Sequence, residues 1–425
     1  MTDLLPLSLR VEGRRVLVVG GGAVASRSVP GLLAAGADVL VVAPEPSPPL
    51  VALADAGSVR LERRPFVAAD LDEVWLAVTA TGVAAVDAAV SAEAERRRVW
   101  CVDRGDAARA SAWTPGVARV DDVTVAVSAG RDPRRAGRLR DGVAAALQSG
   151  DLPLRRARPR AAGRVALVGG GPADPGLLTA RGRRLLAEAD VVVTDRLGPR
   201  GVLAELDEEV LVVDVGKTPG NHPVPQEKIN DLLVEHGLAG RLVVRLKGGD
   251  PYVFGRGGEE LAACRAAGLD VEVVPGVTSA VSVPAAVGIP VTHRGVSRGF
   301  TVLTGHEDLV ATPSALAGVP VEAHTVVLLM GVSALATSAA ALVASGRPPS
   351  TPVAVVEDGY GPRQRATFGT LADVAGRAEA AGVRPPAVVV VGDVVTLAPG
   401  WPAAATDGTG AGAGPPRHRT TAYPA

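Results

Sequence analysis

The chain has 425 residues, enough for two or three domains that each bury a core. Its 44 Lys plus Arg balance 45 Asp plus Glu, which excludes the basic excess that grips a nucleic-acid backbone, and two cysteines, Cys101 and Cys264, exclude a disulfide framework. The amino terminus MTDLLPLSLRVEG lacks a signal peptide's apolar core, and no apolar run approaches the ~20 residues of a membrane helix, so a cytoplasmic protein without membrane contact is expected.

Short apolar runs alternate with Ala-rich helical windows at 15–19 and 23–35, 38–42, 74–79 and 83–97, and 123–127 and 133–148, the rhythm of βαβ units. RRVLVVGGGAVASR sets Gly20, Gly22 and Ala25 in a G-x-G-x-x-A pattern after a strand and at the opening of a helix. That context suits a dinucleotide: glycines permit a tight turn and close approach to pyrophosphate, and the helix start offers unpaired N–H donors. Ala23 and Val24 open the helix. The second strand ends in ADVLVVAPE, where Pro44 and Glu45 stand near the expected ribose position. No arginine follows at once, so NAD is expected rather than NADP.

Between 149 and 163, SGDLPLRRARPRAAG lacks apolar periodicity and carries two prolines, which marks a linker. Strand-like runs then resume at 164–168, 190–193, 210–213, 241–245, 270–274, 299–303, 325–329, 352–356 and 387–391, a second and larger α/β unit. The expected division is 1–113, a first α/β domain; 114–150, a short helical segment; 151–163, the linker; 164–400, the second unit; and 401–425, a low-complexity tail unable to order itself.

In that second unit VALVGGGPADPGLLTARG (165–182) again sets a Gly-rich turn after a strand, but Pro172 and Pro175 spoil a nucleotide fingerprint and imply another ligand. VVRLKGGDPYVFGRGGEE (243–260) ends a strand in Gly248, Gly249, Asp250 and Pro251, a loop at the strand's carboxyl end where open α/β sheets bind ligands. Only Lys217, Lys228 and Lys247 among the basic residues are lysines, so a lysine here asks for a reason; Met330 is the one methionine after the initiator. The six histidines are scattered without metal-ligand spacing, and no permanent metal site is expected.

GGGAVASR, RVWCVDRGDAARASAWTPGV and VTVAVSAGRDPRRAGRLRD resemble the dehydrogenase part of siroheme synthases over about residues 3–148. GGGPADPGLLT, DRL (195–197), VGK (215–217), HPVPQEKIN, LKGGDPYVFGRGGEE, VVPGVTSAVSVPAAVGIPVTHRG and LLMG (328–331) resemble uroporphyrinogen III C-methyltransferases, in order over nearly all of 164–395. The resemblance implies an α/β protein: a Rossmann-like NAD-binding domain, a short dimerisation segment, and a tetrapyrrole methylase fold of two α/β subdomains.

Carried over position by position, it implies S-adenosyl-L-methionine contacts at Pro172, Gly248, Gly249, Asp250, Val253, Thr278, Ser279, Met330 and Gly359. It makes Asp195 the proton acceptor and Lys217 the proton donor in methylation. NAD contacts fall on Gly20, Gly22, Ala23, Val24, Pro44 and Glu45. Gly105 stands where that family carries an aspartate, which leaves Asp106, or Asp103 before it, as acid–base of the first domain and touches iron insertion in particular. A polycarboxylate tetrapyrrole calls for cations, and Arg196, Arg256, Arg294 and Arg298 are the candidates, with His293 beside them. The implied activity is methylation of uroporphyrinogen III to precorrin-2, NAD-dependent oxidation to sirohydrochlorin, and, if retained, insertion of ferrous iron as a substrate, in a homodimer. The alternative is a methyltransferase whose first domain only binds NAD or dimerises.

Overall fold

A computed structural model describes residues 4–130, 132–152, 154–156, 162–216, 224–305, 316 and 318–402. The chain forms two compact units, Met1–Ala145 and Ala146–Ala425. Of the expected tail, Trp401 packs edge-on against Phe368, and residues 403–425 lie outside the described residues.

The first unit runs β1 (Arg15–Val19), α1 (Ala23–Ala34), β2 (Asp38–Val42), α2 (Pro48–Asp55), β3 (Arg60–Glu62), β4 (Leu76–Thr79), α3 (Ala84–Arg96) and β5 (Trp100–Asp103). These strands make one sheet in the order β3-β2-β1-β4-β5, parallel throughout. That order puts the reversal of winding between β1 and β4, where doubly wound sheets bind ligands. Alternation along β1 explains its uninterrupted apolar sequence: Val16 and Val18 enter the core on one face, Leu17 and Val19 the core on the other. An antiparallel hairpin, β6 (Gly116–Val120) and β7 (Val123–Val127), and α4 (Pro133–Ser149) follow.

The second unit runs β8 (Arg164–Gly169), α5 (Ala180–Glu188), β9 (Val191–Thr194), β10 (Leu211–Asp214), α6 (Gln226–Leu238), β11 (Leu242–Lys247), α7 (Gly257–Ala266), β12 (Asp270–Val274), α8 (Ser279–Ala286), β13 (Gly299–Thr304), β14 (His324–Leu329), α9 (Leu335–Ala344), β15 (Pro352–Glu357), β16 (Arg365–Thr370), α10 (Val374–Ala380) and β17 (Ala387–Val391). It holds two sheets. β10-β9-β11-β8-β12 is wholly parallel; β13-β14-β17-β15-β16 is parallel only between β13 and β14. Each is buried on both faces, with Val165 and Leu167 of β8 in one core and Ala166 and Val168 in another.

Several elements escape the apolar rhythm, β3, β5, β6, α2 and β16 among them. α2 is eight residues long and begins on Pro48 and Pro49, which read locally as loop although proline suits a helix's first turn. β16, RATFGT, has few apolar residues because it is the edge of its sheet and pairs only with β15.

Candidate active site

In the second unit the carboxyl ends of β9, β11 and β14 open on a cavity of about 550 Å³, a volume suited to a small-molecule cofactor. All nine residues expected to touch S-adenosyl-L-methionine line it, although the chain brings them from loops as far apart as Pro172 and Gly359. Asp195, Arg196 and Arg256 line it too.

The glycines of the β11 loop do a different job from the one their sequence suggests. A Cβ on Gly248 would come within 2.5 Å of Leu197 Cβ and carbonyl oxygen, so this glycine admits the neighbouring loop rather than a ligand. Gly249 has φ +66°, a conformation that favours glycine, and exchanges hydrogen bonds with Gly171 of the β8 turn (2.7 and 3.1 Å). Asp250 shapes the same loop: its Oδ1 accepts from Tyr252 N–H (2.8 Å) and its Oδ2 from Gly276 N–H (3.1 Å). Thr278 caps α8 through Ala280 N–H, and Met330, at φ +58° and 48% exposed, presents its thioether side chain at the cavity wall.

Asp195 follows β9. Its Oδ1 accepts from Leu197 N–H (3.0 Å) and its Oδ2 from Arg245 Nη2 (3.1 Å). Arg245 belongs to a buried charge cluster: its Nε and the Lys247 Nζ both donate to Glu260, each at 3.0 Å, and Lys247 reaches both carboxylate oxygens. Burial first, then the adjoining Arg245, holds the Lys247 ammonium below the ordinary lysine value, with Glu260 and Asp195 pulling the other way. Arg245 and Lys247 line the cavity, and neither was singled out as a site residue from sequence. Their signal was legible: cations two apart in an otherwise apolar strand face one way and demand a buried acid.

The remaining expectations divide. Arg256, at φ +58° before α7, grips Glu259 through two N–H groups (2.8 and 2.7 Å), so part of its capacity for carboxylates is already engaged. Arg294 and Arg298, expected among the substrate cations, do not line the cavity: they belong to an exposed turn closed by His293 N–H to Ser297 carbonyl, at the amino ends of β13 and β14, whereas Leu329 and Met330 mark the opposite end. His293 is exposed in that turn and contacts the Arg294 carbonyl. Lys217 lies outside the described residues.

In the first unit the carboxyl edge of the sheet gathers the other set. A Cβ on Gly20, at φ +129°, would come within 2.4 Å of the Ala80 carbonyl oxygen at the end of β4, and one on Gly21 within 2.3 Å of the Glu45 carbonyl oxygen. Gly22, the residue before α1, faces open space, and Ala23, Val24, Pro44 and Glu45 are exposed around it. Free N–H donors at the start of a 12-residue helix, with room in front of them, fit a pyrophosphate.

Asp103 and Asp106 stand beyond β5 in unequal settings. The Asp103 side chain is fully buried and accepts from Gly105 N–H, Asp106 N–H, Arg109 Nε and Ser91 Oγ. Burial pushes its carboxyl up, but those four donors together outweigh it and hold the group below the usual carboxylate range. Asp106 is half-exposed, with Arg109 at 3.1 Å, and is the more available of the two. A Cβ on Gly105 would lie 3.2 Å from Asp87 Oδ2 and 3.3 Å from Asp103 Oδ1, so an acid there would enter a nest of carboxylates.

Residues 164–375 match the tetrapyrrole (corrin/porphyrin) methylases and residues 7–116 an NAD(P)-binding family. A siroheme synthase of Chromobacterium violaceum is 38% identical over 451 residues, covering 93% of this chain and 96% of that protein. An S-adenosyl-L-methionine-dependent uroporphyrinogen III methyltransferase of Methanosarcina barkeri is 48% identical over 237 residues, covering 55% of this chain and 93% of that one. Among solved structures, the uroporphyrin III C-methyl transferase of Thermus thermophilus is 45% identical and covers 55% of this chain and 100% of its own, with a TM-score of 0.47.

Proposed function

The chain belongs to the siroheme synthase family, and from that premise we propose that its second unit methylates uroporphyrinogen III to precorrin-2 and that its first unit oxidises precorrin-2 to sirohydrochlorin. The observation that carries the reading is the convergence of nine separately expected residues on one cavity wall. S-adenosyl-L-methionine would supply the methyl group there, and NAD, held at Gly20, Gly22, Ala23, Val24, Pro44 and Glu45, would accept the hydride of the second reaction. The protein's own work in methylation is to hold the two reactants in contact and to take up a proton. Asp195, fixed by Leu197 and Arg245 on the cavity wall, is the carboxylate that receives it, with Lys217 as donor; Arg196 and Arg256 meet substrate carboxylates.

In the first unit Asp106 is the acid–base, because Asp103 is committed to its own loop. That commitment, with Gly105, also favours a second reading in which the first unit binds NAD without turning over. Uroporphyrinogen III, S-adenosyl-L-methionine, NAD and ferrous iron added stepwise, with absorbance followed after each, separate the two. Precorrin-2 that persists after NAD selects the second reading, and no methyl transfer at the first step overturns both.

The working form is a cytosolic homodimer. Two buried free thiols suit a reducing compartment, and the 114–150 segment carries exposed Val117, Val123, Leu139 and Val143, apolar surface for a second copy. No helix of the described residues is long and apolar enough to cross a membrane. Light scattering at micromolar concentration should give twice the chain mass, and a monomer contradicts the dimer.

A further inference from the structure

Beneath the cavity floor Glu260 is wholly inaccessible, and it receives donors from three side chains on two elements: Arg245 and Lys247 of β11 and, at 3.3 Å, Gln226 Nε2 of α6. Arg245 is thereby held on every side. Its Nε goes to Glu260, its Nη1 to the carbonyls of Leu246 (3.0 Å) and Val193 (3.4 Å), and its Nη2 is left for Asp195. Two cations face two carboxylates, so the cluster carries no net charge while it stays intact.

We propose that Lys247 and Glu260 are positioning residues for methylation: acting through Arg245, they orient the Asp195 carboxylate and set the charge it feels. The proposal rests on Asp195 being the proton acceptor. Buried charges interact at much lower effective dielectric than surface ones, so removing one of opposite sign at either end of this chain should bias proton uptake in opposite directions. Lys247→Met leaves an excess of negative charge and favours the protonated acid. Glu260→Gln releases Arg245 to pair with Asp195 alone and favours the carboxylate.

Among the described residues, the other ionisable groups around Asp195 are already balanced or lie outside this chain of contacts. Asp214 on β10 pairs with Arg200, and Arg256 with Glu259; Glu227 on α6 interacts with Arg256. Arg196, Asp250 and Asp358 lie on the cavity wall, and the Cys264 thiol, pushed up to about 11 by burial and by Glu260, is neutral over the working range.

The test uses the full-length enzyme with saturating S-adenosyl-L-methionine. The pH profile of single-turnover methylation is measured for both variants, together with the infrared carboxylate band that Asp195→Asn removes. The acid limb and the band midpoint should move by about one pH unit, upward in Lys247→Met and downward in Glu260→Gln. Displacement in the same direction, or none, overturns the proposal even if both rates fall, because loss of packing alone does not reverse sign between them. Should Glu260→Gln fail to fold, an upward shift in Lys247→Met supports the proposal and an unmoved profile overturns it. Asp195→Asn separates this from the underlying reading: at wild-type rate it removes the reading and the proposal together, whereas a slow Asp195→Asn beside unmoved profiles sinks the proposal alone.

Discussion

The turn after β1 and the turn after β8 look alike in sequence, GGG following four apolar residues, and are built for opposite purposes. After β1, Gly20 and Gly21 pack against backbone at Ala80 and Glu45, while Gly22 opens on space at the start of α1. After β8 no such opening exists. A Cβ on Gly169 would come within 2.4 Å of Gly276 N and one on Gly170 within 2.4 Å of Pro199 Cδ, and Gly171 bonds to Gly249. The second turn spends its glycines on bringing loops together, and the ligand space lies beyond them, between the two sheets. A glycine-rich turn after a strand therefore announces close approach but does not say whether a phosphate or another loop makes it.

The sharpest break between the turns comes from paired substitutions. Gly22→Asp puts bulk and negative charge where pyrophosphate would sit; it should eliminate NAD binding and dehydrogenation, spare methylation, and leave the fold unchanged, since nothing opposes its Cβ. Gly249→Val should abolish S-adenosyl-L-methionine binding in calorimetry through its left-handed backbone and the Ser279 hydroxyl 3.3 Å away, while sparing NAD. Loss of both ligands from either variant would argue against two separate sites. Next in size, Asp195→Asn should slow methylation about a hundredfold or more with little change in S-adenosyl-L-methionine affinity, and Asp106→Asn should slow only the NAD-dependent step.

Stability effects are smaller. Gly170→Val forces a branched side chain onto Pro199 and Leu246 and should cost about 1–3 kcal/mol in chemical denaturation of the second unit, whereas Gly22→Val should cost much less. Equal losses would mean that the turns are not differently filled. The mildest expectation concerns acid. Asp103 is held below its unfolded value, so its stabilisation of the first unit is fully present above about pH 5 and fades as pH falls through the folded value. Asp103→Asn should flatten that part of the unfolding profile; an unchanged acid slope would show that its four donors contribute no linkage.

Much of the molecule was legible from the chain itself. The β1 and β17 ranges follow from apolar runs alone, because a strand buried on both faces must be apolar at nearly every position and needs no partner to reveal it. α2 and β16 were not, since a proline start and an edge strand weaken the local signal.

Sequence alone determined, to within a residue or two, where most of the strands run, where glycine permits close approach, and which loops carry the motif residues. Those properties depend on backbone geometry within a few residues. Only the tertiary structure decided that Gly248 admits Leu197, that Arg294 and Arg298 stand at the far end of their sheet, and that Arg245 and Lys247 find Glu260 in the core. A missing Cβ or a buried charge is defined by what another stretch of chain brings against it. Which stretch that is follows from strand order and sheet packing, and not from the residues alongside.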